Sequence, residues 1–327
     1  MKYKFGAFLL ATLGTGYAYS KYQAHKEHQS QSSWLISDAI KVLKPFPPIK
    51  SVADYQKLYQ ASEQPYALPK NIQLQFGFKA RPDNADVIEL NEFNEDNERI
   101  IFYVHGGAYW MQPIYFHYAM LHHLAKELNA RIVMPIYPKA PAHHAPEVHD
   151  MILDSYKQLL AEEGVKPENI TFMGDSAGGG FQLAFMQKLR DLDADLLPRR
   201  AILLSPWLDV TMTNPAIDAI QPLDPMLNTG QLRFQGEKYA GPLAPSDPLV
   251  SPIYGDSSNL PPIDVFTGTH DILFADAKRF KSLALEHDWD VNTHIYPKML
   301  HVFSSLPIIP EAKESLAEII DIIADAD

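Results

Sequence analysis

From residue 99 onward, the sequence alternates short apolar runs with longer amphipathic stretches. This alternation predicts an α/β fold with a parallel sheet covered by helices on both faces, because parallel strands need crossover connections. The predicted strands are Arg99–Val104, Arg131–Ile136, Ile170–Met173, Ala201–Leu204, Ile263–Thr267 and Val291–Tyr296. The predicted helices are His117–Leu128, Pro146–Glu163, Ala177–Arg190, Ala275–His287 and Pro310–Ala324.

Two regions depart from this alternation. Before residue 99, the apolar spacing predicts helices over Trp34–Val42 and Val52–Gln60, and a proline cluster at residues 45–48 ends the first of them. The alternation at Ile72, Leu74, Phe76 and Phe78, and then at Val87, Ile88 and Leu90, predicts antiparallel edge strands. The Pro-rich stretch Asp209–Pro248, with a predicted helix at Thr229–Tyr239, is interpreted as an insertion over the carboxyl edge of the sheet, where such folds bind ligands.

The N-terminus has a different composition. Lys2 and Lys4 precede an uncharged run from Phe5 to Ser20, which resembles a secretory signal or an uncleaved anchor. An anchor would start in the cytoplasm and place the rest of the chain outside it. The alternative is the N-terminal helix of a cytoplasmic protein. We therefore separate residues 1–22 from a main domain of residues 23–327, with possible membrane association through residues 1–20.

Composition excludes several classes of function. The formal net charge of −12 disfavours nucleic-acid partners. The chain has no cysteine, which excludes a disulfide framework, a thiolate nucleophile and a Cys-ligated zinc. The histidine pairs at residues 122–123 and 143–144 lack a carboxylate spaced to complete a metal site, so no metal is predicted.

The sequence Gly174-Asp175-Ser176-Ala177-Gly178 matches G-x-S-x-G. It lies between a predicted strand and a predicted helix, which is the context that a nucleophile elbow requires. The glycines permit the tight turn, and the serine hydroxyl projects from the sheet edge at the start of the helix. Ser176 is therefore the candidate nucleophile.

A second motif, His105-Gly106-Gly107-Ala108, directly follows a predicted strand. Acyl transfer builds negative charge on the former carbonyl oxygen, and backbone N–H groups stabilise that charge. Gly106 and Gly107 are the candidate donors, with Ala177 as a third. His105 is interpreted as a hydrogen-bonding residue that shapes the loop.

Serine needs a base and an orienting acid to act as a nucleophile. When the serine lies in a nucleophile elbow, the acid follows it in the sequence and the histidine follows the acid. His301 follows the last strand, at the carboxyl edge, and Asp271 follows the strand before it. The predicted triad is Ser176, Asp271 and His301. Asp264 and Asp276 are alternative acids; the other downstream histidines are His270, His287 and His294.

Six motifs together resemble the hormone-sensitive-lipase-like branch of the α/β-hydrolases. They are HGGA at 105–108, GDSAGG at 174–179, SPWLD at 205–209, DPLVSP at 247–252, LPP at 260–262 and H-x-F at 301–303. The resemblance runs from about Arg99 to the C-terminus. It implies a mostly parallel, eight-stranded-type sheet and a helical cap from about residues 32–66 and 209–248. The family often has a third glycine at the position of Ala108.

The resemblance implies a carboxylic-ester hydrolase that acts on short-to-medium acyl esters through an acyl-enzyme, without a cofactor. The expected partner is a small-molecule ester. Two alternatives remain: an amidase or peptidase with the same triad, and a non-catalytic relative that binds a ligand in the pocket.

Overall fold

A computed structural model of the chain describes residues 17–43, 49–92 and 98–325. Most of the N-terminal segment predicted as a signal or anchor lies outside these residues, as do the prolines at 45, 47 and 48. Residues 17–26 are helical. Within the described part of the chain, no helix has the length and apolar character needed to cross a membrane.

An eight-stranded sheet forms the centre of the fold, in the order β1-β2-β4-β3-β5-β6-β7-β8. Strands β3 to β8 run parallel, whereas β1 and β2 pair antiparallel at one edge. The predicted mostly parallel sheet is thereby confirmed. The strands are β1 Lys79–Ala80, β2 Val87–Leu90, β3 Ile100–Val104, β4 Arg131–Pro135, β5 Ile170–Asp175, β6 Arg200–Leu204, β7 Ile263–Gly268 and β8 Val291–Tyr296.

Helices cover both faces of the sheet because the strand residues are apolar on both sides. Phe102 and Phe172 pack with one helical layer, whereas Ile101 and Tyr103 pack with the other. The first layer contains α5 Ala145–Leu160, α6 Ala177–Leu192 and α9 Phe274–His287. The second contains α4 Tyr115–Leu128 and α10 Pro310–Ala324. Each fully buried large side chain stabilises this core by about 1.5–3 kcal/mol.

The strand predicted at residues 72–78 is wrong, because Lys70–Phe76 forms helix α3. Ile72 and Phe76 are four residues apart and both are buried, whereas Leu74 is 89% exposed. This is the spacing of a helix face rather than of a strand. Gly77 ends the helix in the left-handed conformation. The antiparallel edge predicted at Val87–Leu90 is confirmed.

The N-terminal helices and the insertion meet above the loop that follows β3. The N-terminal helices are α1 Gln31–Leu43 and α2 Val52–Ser62, and the insertion contains α7 Ile217–Ile220 and α8 Thr229–Ala240. The ring of Tyr55 in α2 lies 6.1 Å from that of Phe234 in α8 and 6.0 Å from that of Trp110. These contacts support the predicted two-part cap, which stays a prediction.

Candidate active site

The backbone turns sharply between β5 and α6, and Ser176 occupies the turn. Its φ of 53° and ψ of −120° lie outside the regions that L-residues prefer, at a cost of about 1–3 kcal/mol. Two hydrogen bonds hold the residue there: the Ser176 N–H donates to Leu204 O, and the Trp207 N–H donates to Ser176 O, each at 2.8 Å. The sheet therefore fixes the serine at its carboxyl edge.

Gly178, two residues after Ser176, is required because α6 approaches β3 closely. A Cβ at Gly178 would lie 1.9 Å from the carbonyl oxygen of Val104 in β3. No side chain fits in that space, so α6 rests directly on the neighbouring strand. This contact explains the last glycine of the G-x-S-x-G motif.

Ser176, His301 and Asp271 form a continuous hydrogen-bonded chain. Ser176 Oγ lies 2.9 Å from His301 Nε2, and His301 Nδ1 lies 2.8 Å from Asp271 Oδ2. All three residues are buried, and Asp271 is 0% exposed. The Leu273 N–H donates to the other Asp271 oxygen at 2.9 Å. The structure thus brings together the three residues that were predicted as a triad.

The alternative acids and bases make other contacts. Asp264, near the start of β7, binds His294 of β8 at 2.9 Å. Asp276 accepts a hydrogen bond from Asn214, and His287 stacks on Trp289. None of them has a contact with Ser176 in the described part of the chain. Among those residues, no group of three His, Asp or Glu side chains could hold a metal ion.

The prediction of Gly106 as an oxyanion donor is wrong. Its N–H donates to Asp175 Oδ1 at 2.7 Å, so that donor is already bound to a carboxylate. The amides of Gly107, Ala108 and Ala177, by contrast, donate to no other group among the described residues. Gly107 and Ala108 both have positive φ, 112° and 55°. The two loop amides without a partner in the described ranges are therefore those of Gly107 and Ala108, rather than those of Gly106 and Gly107 as predicted.

The comparisons with known proteins agree with this geometry. A family model described as alpha/beta hydrolase fold matches residues 101–305. The chain is 35% identical over 231 residues to an esterase of Acinetobacter venetianus, covering 70% of this chain and 76% of that protein. It is 31% identical over 219 residues to an acetyl-hydrolase of Streptomyces hygroscopicus, covering 67% and 73%. The chain belongs to the α/β-hydrolase fold family.

One solved structure indicates which branch of the α/β-hydrolases this chain resembles. An esterase from the bacterial hormone-sensitive lipase family superposes with a TM-score of 0.77 at 28% identity, covering 91% of this chain and 99% of that one. The predicted family, fold and enzyme class, an esterase or lipase, are therefore confirmed for this hydrolase.

Burial and the neighbouring carboxylates have opposite effects on the pKa of His301 in this hydrolase. Burial by itself lowers the pKa of His301, but the neighbouring carboxylate of Asp271 opposes it. Asp224 and Asp175 add further negative charge, and the net result is a pKa above the ordinary value. An imidazolium formed at His301 is thus stabilised by the surrounding carboxylates.

Asp175, the variable residue of the serine motif, is a buried carboxylate that organises the site. Its Oδ1 accepts from Tyr103 Oη at 2.6 Å and from the Gly106 N–H, and His117 Nε2 lies 3.3 Å from its Oδ2. Burial raises the pKa of Asp175, but His117 and these hydrogen bonds outweigh it and hold the pKa below the usual value. Asp175 was not predicted from the sequence, because the motif accepts any residue there.

Proposed function

We propose that this chain is a serine carboxylic-ester hydrolase that acts on short-to-medium acyl esters through an acyl-enzyme. The observation that carries the proposal is the hydrogen-bonded chain from Ser176 Oγ through His301 to Asp271. It lies at the carboxyl edge of the sheet, beside amides of Gly107 and Ala108 that have no other partner in the described ranges. This combination of nucleophile, base, acid and unpaired amides suits acyl transfer.

Acylation would begin with proton transfer from Ser176 Oγ to His301 Nε2 as the oxygen attacks the ester carbonyl carbon. The carbonyl oxygen becomes an oxyanion, and the N–H groups of Gly107, Ala108 and Ala177 would stabilise it by a few kcal/mol. His301 then gives its proton to the alcohol oxygen, the bond from carbon to that oxygen breaks, and the acyl group stays on Ser176.

Deacylation would repeat these steps with water in place of the serine. His301 Nε2 takes a proton from the water, whose oxygen attacks the acyl carbon. The second oxyanion collapses, the bond to Ser176 Oγ breaks, and the imidazolium returns its proton to the serine. Asp271 holds the imidazole orientation through Nδ1 and stabilises its charged form in both halves.

Two observations support the proposed action on small esters with short-to-medium acyl groups. Ser176 is only 9% exposed and His301 5% exposed, so the reacting atoms are enclosed. One of the similar proteins is an acetyl-hydrolase. The proposed partner is accordingly a small ester.

The decisive variant is Ser176→Ala, assayed on a chromogenic acetate, butyrate and dodecanoate series. We expect the variant to lose about 10⁵–10⁶-fold in kcat while its melting temperature stays close to that of the wild type. The wild type should acquire a stable adduct on Ser176 with a fluorophosphonate, detected as a mass increase on the peptide containing residue 176. Ester hydrolysis by Ser176→Ala at the wild-type rate would reject the proposal.

The same assay distinguishes the two alternatives. An amidase or peptidase would cleave the matched anilides at rates comparable to the esters. A non-catalytic binding protein would hydrolyse neither series and would not react with the fluorophosphonate. The triad hydrogen bonds argue against the second alternative, because a receptor needs no base beside the serine.

A further inference from the structure

Asp224 lies in the insertion, between α7 and α8, and its carboxylate organises a tight turn. Its Oδ1 accepts hydrogen bonds from the N–H groups of Met226 and Leu227, both at 2.8 Å. Because both bonds are local, the carboxylate and residues 224–227 form one compact unit. We call these four residues the insertion turn.

The second oxygen of Asp224 reaches the loop that carries the triad acid. Asp224 Oδ2 accepts the N–H of Ile272 at 2.9 Å, and Ile272 directly follows Asp271. Asp271 itself accepts the N–H of Leu273 at 2.9 Å. Two carboxylates therefore bind consecutive amides of the same short loop, one from the insertion and one from the triad.

The insertion turn also touches the loop that carries the triad base. Met226 packs against a buried apolar cluster that includes Met299, Leu300 and Phe303, the residues on either side of His301. One short turn in the insertion thus contacts the loops of both Asp271 and His301.

We propose that Asp224 is a positioning residue, which holds the insertion against both triad loops and keeps a negative charge beside the Asp271–His301 pair. This inference rests on the proposed ester hydrolysis and deepens it. It assigns to the insertion a direct effect on the triad, in addition to any part in enclosing the substrate.

The electrostatics agree with this role. Burial, and then the charge of Asp271, raise the pKa of Asp224 to about 6, so Asp224 is negatively charged at neutral pH. The charged groups that act on His301 are Asp271 from the loop after β7, Asp224 from the insertion and Asp175 from the end of β5. Each favours the imidazolium, so removal of any one should lower the pKa of His301.

Two variants separate the charge of Asp224 from its hydrogen bonds. Asp224→Asn removes the charge but keeps one acceptor oxygen, whereas Asp224→Ala removes both. The control for local hydrogen bonding is Asp256→Asn, whose exposed carboxylate accepts the N–H of Ser258 at 2.9 Å in the segment that leads into the amino end of β7, whereas the triad lies at the carboxyl ends of the strands. Each protein is assayed on a chromogenic butyrate ester from pH 5 to pH 9, with melting temperatures measured in parallel.

We expect the acid limb of the kcat/KM profile to move to lower pH by about 0.5 unit or more in both Asp224 variants. At pH 8, kcat should fall by about tenfold in Asp224→Ala and by less in Asp224→Asn, with little change in KM, because the bonds position the loop rather than bind substrate. Asp256→Asn should retain the wild-type profile.

An unshifted acid limb in Asp224→Asn would overturn the proposal, even if its activity were lower, because a purely structural residue would give that result. If Asp224→Ala does not fold, the near-isosteric Asp224→Asn still decides the question. A wild-type enzyme that hydrolyses no ester would reject the proposed function itself, which the Ser176→Ala comparison detects separately.

Discussion

The carboxylate of Asp175 accepts the backbone N–H of Gly106, with 2.7 Å between Oδ1 and the nitrogen. Asp175 directly precedes Ser176, the proposed nucleophile, and Gly106 lies in the loop whose amides would stabilise the oxyanion. A buried hydrogen bond to a charged group contributes about 1.5–3 kcal/mol. This bond joins the serine turn to the loop after β3, so the distance between Ser176 and the proposed oxyanion donors depends on it.

Replacing Asp175 should therefore impair both catalysis and folding. In Asp175→Asn, the amide oxygen can still accept from Tyr103 and Gly106, but the NH₂ group then meets the Nε2–H of His117 and the negative charge is lost, so we expect kcat to fall by about 10–100-fold and stability to fall by about 1–3 kcal/mol. Tyr103→Phe removes a single donor to the same carboxylate and should have a smaller effect on both. Steady-state kinetics and denaturant unfolding measure the two quantities. A wild-type kcat in a correctly folded Asp175→Asn would contradict the role assigned to this bond.

The pH dependence of hydrolysis should reflect His301. The imidazole must be neutral to take the proton from Ser176, and its pKa is raised by the surrounding carboxylates, Asp271 foremost, against the opposing effect of burial. The kcat/KM of the free enzyme should therefore rise with pH through a midpoint above about 6.5. Asp271→Asn removes one negative charge, so its acid limb should lie at lower pH, with kcat reduced by about 10⁴-fold. A wild-type midpoint clearly below 6.5 would be inconsistent with this electrostatic arrangement.

Much of the fold could be predicted because local patterns determine it. The strand before Ser176 and the helix after it are each continuous in sequence, and the motif lies at their junction. The strand predicted at residues 72–78 was wrong because spacings of two and four residues coincide at Ile72 and Phe76, so a short run fits a strand and a helix equally. Only the tertiary environment, which leaves Leu74 exposed, distinguishes them.

The supporting residues of the site could not be predicted in the same way. Asp175, Asp224 and Ser205 act by accepting backbone N–H groups from residues between 48 and 97 positions away. A backbone N–H is present at every residue except proline, so the sequence does not indicate which residue donates to each of these side chains. For the same reason, the motif HGGA did not reveal that the Gly106 amide is bound to Asp175.

Ser205 provides a separate test of how the histidine loop is held. Its Oγ accepts the N–H of Val302 at 3.1 Å, and Val302, next to His301, has a φ of 51°. Positive φ is strained for a β-branched residue, so this bond helps to fix His301. We expect Ser205→Ala to lower kcat by about tenfold with little change in KM.

The matched control for Ser205→Ala is Ser257→Ala. The Ser257 hydroxyl is also buried and accepts a hydrogen bond, at 3.1 Å from Gln187, but it lies before β7, away from the triad. Both variants should lose about 1 kcal/mol of stability, and only Ser205→Ala should lose activity. Equal kinetic losses in the two variants would mean that the effect comes from general destabilisation.

Substitution of Ala108 tests the proposal that the amides of Gly107 and Ala108 are the oxyanion donors of this loop. Its φ of 55° is costly for alanine but not for glycine, so Ala108→Gly should keep the loop conformation, and the N–H, in place. We expect kcat on an acetate ester to stay within about threefold, with melting temperature unchanged or slightly higher, because relief of strain offsets the added freedom of the unfolded chain. Removal of the methyl group should also increase kcat/KM for esters with bulkier groups relative to acetate.

Gly107→Ala is the contrasting variant in the same loop. Gly107 has a φ of 112°, and an added Cβ would lie 2.9 Å from the Cβ of Met111, so the substitution is strained in both conformation and space. We expect a loss of at least tenfold in kcat on the acetate ester together with a lower melting temperature. If Gly107→Ala were as active as Ala108→Gly, the amides of this loop would not be the donors, and the oxyanion would have to be stabilised elsewhere in the site.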